Sequence, residues 1–404
     1  MTRETDCADA GAFPQGRPSI AAVFARFLRY GFYAFGGPVV QISMLRHELV
    51  ERERWTQNAT FTRALAVYQA LPGPEATEMC CWFGHIARGR LGAVAAGVGY
   101  VLPGFLLMLL CAWLYVEHGV QSPWVAAAFA GMQPAALALL MKAVPNSFGH
   151  VLKMQGAVVA CAFALAADFA GVPFWVPLLG GAMWCGLLSR GLAVRAAACG
   201  AFFAVLWWSV QRGESAPIVL DAPQSASAPV VADAWALFET GLKAGLLTFG
   251  GAYTAIPFVR GDVVTKHGWI GDAQFLDGIA ICGVLPAPLV IFTTFVGYVV
   301  AGLSGACAIT LGMFLPAFSF TLVGHAWIDR LVHEPRFHAA LDGTAAAALG
   351  LIAATALRLC HARLDSWFAW VLFACALVIL LRVRKISTVP LVIVTAAVAG
   401  LLFY

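Results

Sequence analysis

The stretch AFGGPVVQ, residues 34–41, ends an apolar run with two glycines and a proline, and TFGGAYTA, residues 248–255, repeats this ending. Glycine is conformationally loose and proline lacks a backbone donor, so this composition interrupts a helix. The same interruption therefore occurs at two places in a chain whose apolar runs are otherwise long enough to span a membrane.

The regions around these two stretches are copies of each other. Residues 24–74 align with residues 238–288 without a gap, and sixteen of the 51 positions are identical. The identities include glycine, proline and tryptophan, which apolar composition alone would not place in one register. A second shared motif is LPGPE, residues 71–75, which recurs as LPAPL, residues 285–289. The chain therefore contains an internal repeat.

The composition is that of a membrane protein. The 404 residues are 61% hydrophobic and 11% charged, against roughly 25% charged in soluble domains. We predict an all-α polytopic membrane protein with about 13 transmembrane segments, seven before a polar stretch and six after it. The predicted segments lie near 20–45, 64–87, 91–116, 124–144, 154–171, 173–189, 193–210, 234–258, 273–301, 303–328, 339–359, 366–383 and 387–404.

The repeat divides the chain into five parts. We predict a cytoplasmic tail (1–18), an N-terminal repeat (19–190), a connecting transmembrane helix (191–210), a Pro/Ser/Ala-rich linker (211–233) and a C-terminal repeat (234–404). An odd number of crossings separates equivalent segments, so the second copy should be inverted in the bilayer, as in secondary transporters. The distribution of Lys and Arg among the loops favours a cytoplasmic N-terminus and a periplasmic C-terminus.

A helix break inside a membrane leaves backbone N–H and C=O groups that need hydrogen-bond partners. The N-terminus of the helix that resumes after the break carries a partial positive charge and attracts anions. Two aligned cations, Arg29 and Lys243, each lie seven residues, about two helical turns, before a glycine pair. They predict an anion site at the breaks; kinks and snorkelling side chains are the alternatives. The predicted substrate-binding residues are Arg29, Gly36, Gly37, Pro38, Pro72, Gly73, Pro74, Lys243, Gly250, Gly251, Pro286 and Pro288.

Two acidic residues follow the first proline motif. Glu75 and Glu78 can share a helix face, and their counterparts in the second copy are Leu289 and Phe292. We predict a proton-coupling or gating role, against the alternative of a solvated mouth or a pair with Arg88. The pattern leaves open whether the segments 64–87 and 273–301 span the membrane or re-enter it.

Further pairs of aligned residues give two structural expectations. Arg63 and Asp277 align with opposite sign and are candidates for an ion pair between the copies. Trp55 and Trp269 are expected to be anchors at the membrane interface.

Several function classes find no support in the sequence. The eleven cysteines form no C-x-x-C motif and no cysteine–histidine cluster with metal-site spacing, and no nucleotide, flavin or haem motif is present. A net charge of +4 without a basic block does not indicate nucleic-acid binding. We therefore predict a protein that is not an enzyme and that has neither a cofactor nor a metal site.

The motifs FGGP and LPGP, with their echoes FGGA and LPAP in two related halves, resemble the chromate ion transporter family in its long two-domain form. The resemblance covers residues 20–404. It implies efflux of chromate across the bacterial inner membrane, driven by the proton gradient or the membrane potential, and chromate resistance. In the second half, Ala252 and Ala287 replace a proline and a glycine of the motifs, so the halves are expected to contribute unequally.

The residues alone leave alternatives to this implied function. They do not separate chromate from sulfate or another oxyanion, and they leave uptake or exchange open beside export. A membrane-embedded enzyme and a channel are weaker alternatives. The coupling ion is open, with protons as one option, and the oligomeric state is open, with a homodimer as one option.

Overall fold

The computed structural model describes residues 16–35, 37–119, 122–151, 156–189, 192, 200, 233–249, 251–323, 335–383 and 388–403. These residues are helical and contain no β-strand, which agrees with the predicted all-α class. The polar linker up to residue 232 and nearly all of the predicted connecting helix lie outside the described residues, as do residues 1–15 of the predicted tail.

The described residues form fourteen α-helices joined by short π-helical and 3-10 turns. The helices are α1 (Ile20–Phe32), α2 (Pro38–Leu45), α3 (Asn58–Ala70), α4 (Glu75–Leu114), α5 (Pro123–Val151), α6 (Ala157–Phe169), α7 (Trp175–Leu188), α8 (Ala234–Leu246), α9 (Ala255–Arg260), α10 (Asp272–Val284), α11 (Phe292–Val323), α12 (Pro335–Arg363), α13 (Trp367–Arg382) and α14 (Thr388–Phe403). The π-helical turns are Arg46–Arg52, Tyr115–Gly119 and Gly261–Lys266, and the 3-10 turns are Ala252–Thr254 and Leu289–Ile291.

The internal repeat is visible in the backbone, because the helices of the second half follow the order of those in the first. A sharp turn interrupts α4 at Arg88 (φ −145°, ψ 27°) and Gly89 (φ 62°, ψ −149°). The same turn interrupts α11 at Ala301 (φ −142°, ψ 27°) and Gly302 (φ 61°, ψ −148°). The positive φ explains the glycine at the second position of each turn.

Each of these turns folds its helix back on itself. A Cβ added at Gly84 would collide with the carbonyl group of Gly92, and one added at Gly297 would collide with that of Gly305. Glycine at these positions lets the two legs of each hairpin touch.

The first proline motif forms a second kind of hairpin. The ring of Phe61 in α3 stacks on that of Phe83 in α4 with centroids 6.0 Å apart, whereas a continuous helix would separate these residues by roughly 33 Å. In the second half, the rings of Phe275 and Phe292 lie 5.6 Å apart. Both segments therefore double back at their proline motifs.

The apolar surface agrees with a multi-pass membrane protein. Within the part of the chain that the structure describes, four helical stretches are long and apolar enough to cross a bilayer, and four shorter apolar helices accompany them. Large apolar side chains on two of the long helices are exposed on the outside of the bundle, such as Leu106, Leu110 and Leu311. The long stretches are Glu75–His118, Pro123–Pro145, Leu289–Leu322 and Ala339–Arg363.

The two halves interlock. Helix α5 of the first half packs against α13 and α14 of the second, and α12 packs against α6 and α7 of the first. Glycines stand at both crossings: Gly131 meets Gly400, and Gly181 meets Gly343. The predicted repeats 19–190 and 234–404 thus share one core.

Candidate functional site

The interruptions of the two copies meet each other. The backbone N–H of Gly73 donates a hydrogen bond to the carbonyl oxygen of Thr248 at 2.8 Å. The side-chain Nε2 of Gln41 donates to the carbonyl oxygens of Ala34 at 2.8 Å and Ala287 at 3.3 Å. Thr248 corresponds to Ala34 in the repeat, and Ala287 corresponds to Gly73. Each proline motif therefore contacts the glycine motif of the other copy.

The glycine pairs interrupt their helices as expected. Gly37 has a φ of 85° and precedes Pro38, the first residue of α2, while Gly251 has a φ of 125° and precedes a 3-10 turn. Such φ values favour glycine over any residue with a side chain. The other members of the two pairs, Gly36 and Gly250, lie outside the described residues.

The prolines shape the tips of the hairpins. Pro74 and Pro288 are buried and lie immediately before the helical turns that follow, whereas Pro72 and Pro286 are half-buried. Gly73 between the first two prolines has a φ of 149°, outside the range that most residues adopt. Ala287 fills the corresponding position of the second copy and is not among the residues with positive φ. The two tips therefore differ in backbone conformation.

The two predicted acids lie in the protein interior behind the first tip. Glu75 is 8% exposed and accepts a hydrogen bond from the side chain of Gln69. Glu78 is fully buried, and neither of its carboxylate oxygens has a hydrogen-bond partner among the described residues. Arg88 donates to the carbonyl oxygens of Arg17 and Pro18. The alternatives of a solvated mouth and of a pair with Arg88 are therefore both wrong for Glu78.

The two aligned cations have different surroundings. The Nζ of Lys243 lies 2.8 and 2.9 Å from the carboxylate oxygens of Asp262 and 4.5 Å from the ring centroid of Phe174. Arg29 is exposed, lies over the ring of Tyr33 at 6.0 Å, and has no acidic partner in the part of the chain that the structure describes. Neither cation makes a hydrogen bond to the hairpin tips within that part.

Arg29 lines a cavity of about 1380 Å³ between α1, α2 and the turn that follows α2. The charged side chains around it are Arg26, Arg29, Arg52, Glu48 and Glu53, which leaves one net positive charge. Arg26 pairs with Glu53, and Arg52 pairs with Glu48 at 3.2 Å. Gln41 also lines the cavity but is only 1% exposed. The cavity therefore extends from exposed arginines to a residue that touches the convergent breaks.

A polar network that joins the halves elsewhere was not predicted. Asp277 accepts hydrogen bonds from the hydroxyl of Tyr115 and from Nε2 of Gln133, both at 2.9 Å. The guanidinium of Arg363 donates to Oε1 of the same glutamine at 3.2 and 2.8 Å. Arg63 is exposed, so the expected pair between Arg63 and Asp277 is wrong. The aligned positions of opposite charge gave a false signal because alignment within a repeat does not measure distance.

Sequence reasoning also missed Gln41 and Asp262. The only sequence signal for Gln41 was that an amide side chain occurs in the apolar helix α2, whereas the aligned residue of the second copy is Ala255. Asp262 aligns with Glu48 in the repeat, but nothing in the sequence paired it with Lys243. Among the described residues, no three His, Cys, Asp or Glu side chains are grouped as metal ligands would be.

The fold and the site together define a class, that of a multi-pass membrane protein with two copies of a broken-helix motif. A buried acid and a cavity lined by arginines lie where the two copies meet. The family model for the chromate transporter matches residues 21–220 and 235–401. The chain belongs to the chromate transporter family, which confirms the resemblance seen in its motifs.

Individual relatives support this assignment. The chain is 45% identical over 396 residues to a chromate transport protein of Pseudomonas aeruginosa, covering 96% of this chain and 93% of that protein. It is 29% identical to a chromate transport protein of Cupriavidus metallidurans, covering 94% and 92%. An uncharacterised transporter of Bacillus subtilis, YwrB, is 32% identical over 146 residues, which are 35% of this chain and 72% of that protein. No solved structure matches the chain.

Proposed function

We propose that the protein is a secondary active transporter that exports chromate from the cytoplasm across the bacterial inner membrane and thereby confers chromate resistance. The main observation behind the proposal is that the two glycine motifs and the two proline motifs meet beside the cavity lined by Arg29. The two full-length relatives that are named chromate transport proteins support the choice of chromate.

The chemistry of the site suits a compact oxyanion. Chromate at neutral pH is a tetrahedral dianion, and free backbone N–H groups at helix breaks and nearby cations can bind its oxygens. We assign substrate binding to Arg29 and Lys243, to the two glycine doublets, and to the prolines and the glycine of the motifs: Pro38, Pro72, Gly73, Pro74, Pro286 and Pro288. Expulsion of a dianion from a negative-inside cell is favoured by about 2.3 kcal/mol per charge per 100 mV.

We propose that the repeats are inverted and alternate in opening toward the two sides of the membrane. The reciprocal contacts, Gly73 with Thr248 and Ala287 through Gln41 with Ala34, support a two-fold relation between the copies. Arg29 lines the cavity, whereas its counterpart Lys243 is paired with Asp262 and packed under Phe174. This difference supports a state that is open at the first repeat and closed at the second.

Glu78 is the proposed proton-coupling residue, with Glu75 beside it as a second coupling or gating group. An ionised carboxylate without a partner is costly in a buried site, so proton binding and release at Glu78 would accompany the change of access. We also propose a cytoplasmic N-terminus and a periplasmic C-terminus, from the distribution of basic residues in the loops.

Uptake of chromate by everted membrane vesicles tests the proposal. We expect energised vesicles that contain the protein to accumulate chromate, and vesicles with Arg29→Glu or Lys243→Glu to lose this uptake while the protein stays in the membrane. Normal uptake in both variants would remove these residues from the site. Absence of uptake in wild-type vesicles would contradict chromate export.

Transport of sulfate or another oxyanion is the second candidate, since the same donors and cations fit any tetrahedral dianion. Excess sulfate that abolished chromate uptake, together with faster transport of sulfate itself, would favour this candidate. A channel would be indicated by chromate movement that only follows the anion's own electrochemical gradient.

A further inference from the structure

Gln41 occupies a position that no motif explains. It lies on α2, one turn after the glycine pair, and is 1% exposed. Its Nε2 binds a carbonyl oxygen of its own repeat, that of Ala34, and a carbonyl oxygen of the opposite hairpin tip, that of Ala287. One side chain thus joins the broken helix of the first copy to the proline motif of the second.

The hydrogen bonding of Gln41 is incomplete. Its Oε1 is buried and has no hydrogen-bond partner among the described residues. A buried carbonyl oxygen without a hydrogen-bond partner destabilises the arrangement. The amide of Gln41 is therefore held only through its NH2 group. Movement of this side chain away from Ala34 and Ala287 breaks both hydrogen bonds of Nε2.

The cavity leads from the protein surface to Gln41. The exposed end of the cavity is lined by Arg29 and by Arg52, whose side chain is 72% exposed. Gln41 lines the same cavity, and the far side of its amide touches Ala287. The volume of about 1380 Å³ is far larger than a single tetrahedral oxyanion. Its net positive lining attracts anions from solution.

We propose that this cavity is an oxyanion vestibule and that Gln41 is its inner gate, whose amide closes the passage to the convergent breaks by bridging Ala34 and Ala287. An arriving oxyanion offers acceptor oxygens that replace the two backbone carbonyls as partners of Nε2. The gate then opens without leaving its donor unpaired. Ala255 at the equivalent position cannot form such a bridge, so the gate belongs to the first repeat alone. The inference rests on the proposed oxyanion transport.

A buried reporter at the hairpin tip tests the gate. Ala287→Cys in the full-length protein is labelled in membrane vesicles with a membrane-impermeant maleimide, and the peptide that contains residue 287 is quantified by mass spectrometry. We expect slow labelling with Gln41 present and at least about tenfold faster labelling when Gln41→Ala is added. Chromate and sulfate, as occupants of the vestibule, should each slow the faster reaction.

Ser43→Ala provides the matched control, because Ser43 lines the same cavity, is exposed, and donates to the carbonyl oxygen of Val39 within its own helix. Unchanged labelling with Gln41→Ala, or an equal rise with Ser43→Ala, would overturn the gate. Absence of protection by both anions would overturn the oxyanion vestibule.

As a second measurement, Gln41→Ala in a chain without the reporter should raise passive chromate leak in proteoliposomes, and an unchanged leak would also overturn the gate.

The two proposals fail in distinguishable ways. Protection by sulfate but not by chromate, together with no chromate uptake by the wild-type protein, would refute chromate export and leave the vestibule in place. Chromate uptake by the wild-type protein together with unchanged labelling would refute only the gate.

Discussion

The backbone N–H of Gly73 donates a hydrogen bond to the carbonyl oxygen of Thr248 at 2.8 Å, so the tip of the first hairpin is tied to the broken helix of the second repeat. Residue 287, the repeat counterpart of residue 73, touches the first repeat through Gln41. The two contacts differ, because one is a backbone bond and the other depends on a side chain. In the proposed gate, the contact through Gln41 is the one that moves.

The conformation of Gly73 gives the first prediction. Its φ of 149° disfavours any residue with a Cβ, and an added Cβ would lie against the carboxylate of Glu78. Strain of this kind is worth about 1–3 kcal/mol. We expect Gly73→Ala to reduce chromate uptake by everted vesicles about tenfold or more. Ala287→Gly is the matched control, with uptake close to wild type; equal effects of the two changes would contradict the assigned role of the first tip.

The isolation of Glu78 gives the second prediction. Glu78→Gln keeps the volume of the side chain but cannot carry a dissociable proton. We expect this variant to lose chromate uptake driven by a pH gradient and to retain exchange of external for internal chromate. Glu239→Gln, at an exposed position on α8, should leave both activities unchanged. Retention of full pH-driven uptake by Glu78→Gln would remove this residue from proton coupling.

The pair of Lys243 and Asp262 gives the third prediction. Residues in direct contact show interaction energies of about 0.5–3 kcal/mol in double-mutant cycles. Lys243→Glu and Asp262→Lys should each abolish uptake, and the charge-swapped double variant should recover a measurable part of it. Recovery requires that the pair acts as a contact. A double variant as inactive as both singles would contradict a functional contact between Lys243 and Asp262.

The crossing of α5 and α14 gives the fourth prediction. A Cβ at Gly131 would collide with the carbonyl oxygen of Ala396 and the backbone of Gly400. We expect Gly131→Val to separate the repeats and to lower the Tm of the detergent-solubilised protein by several degrees, or to prevent its accumulation in the membrane. Gly261→Ala has no heavy atom within 4 Å of the new Cβ and should be tolerated. Equal stability of the two variants would contradict tight packing at this crossing.

The sequence predicted the features that depend on local backbone chemistry. Glycine pairs and proline motifs were sufficient to locate the breaks, because these residues restrict the backbone wherever they occur. The alignment also predicted unequal halves from Ala252 and Ala287, and the structure shows unequal hairpin tips.

Features that depend on long-range packing were not predictable. Trp55 was expected to be an interface anchor, yet it is 4% exposed and lies under the guanidinium of Arg26 at 5.3 Å. Trp269 is half-buried and stacks on the ring of His267. The bond from Tyr115 to Asp277 likewise joins residues from different repeats. A single sequence carries no signal of such distances.

The most direct test of the central claim is chromate flux into proteoliposomes that contain only the purified protein, with imposed pH and voltage gradients and with sulfate as competitor. We predict that either gradient, or both together, drives chromate accumulation that ends when the gradients are dissipated, and that Glu78→Gln abolishes the part driven by pH. Chromate entry equal to that of protein-free liposomes under both gradients would contradict the account.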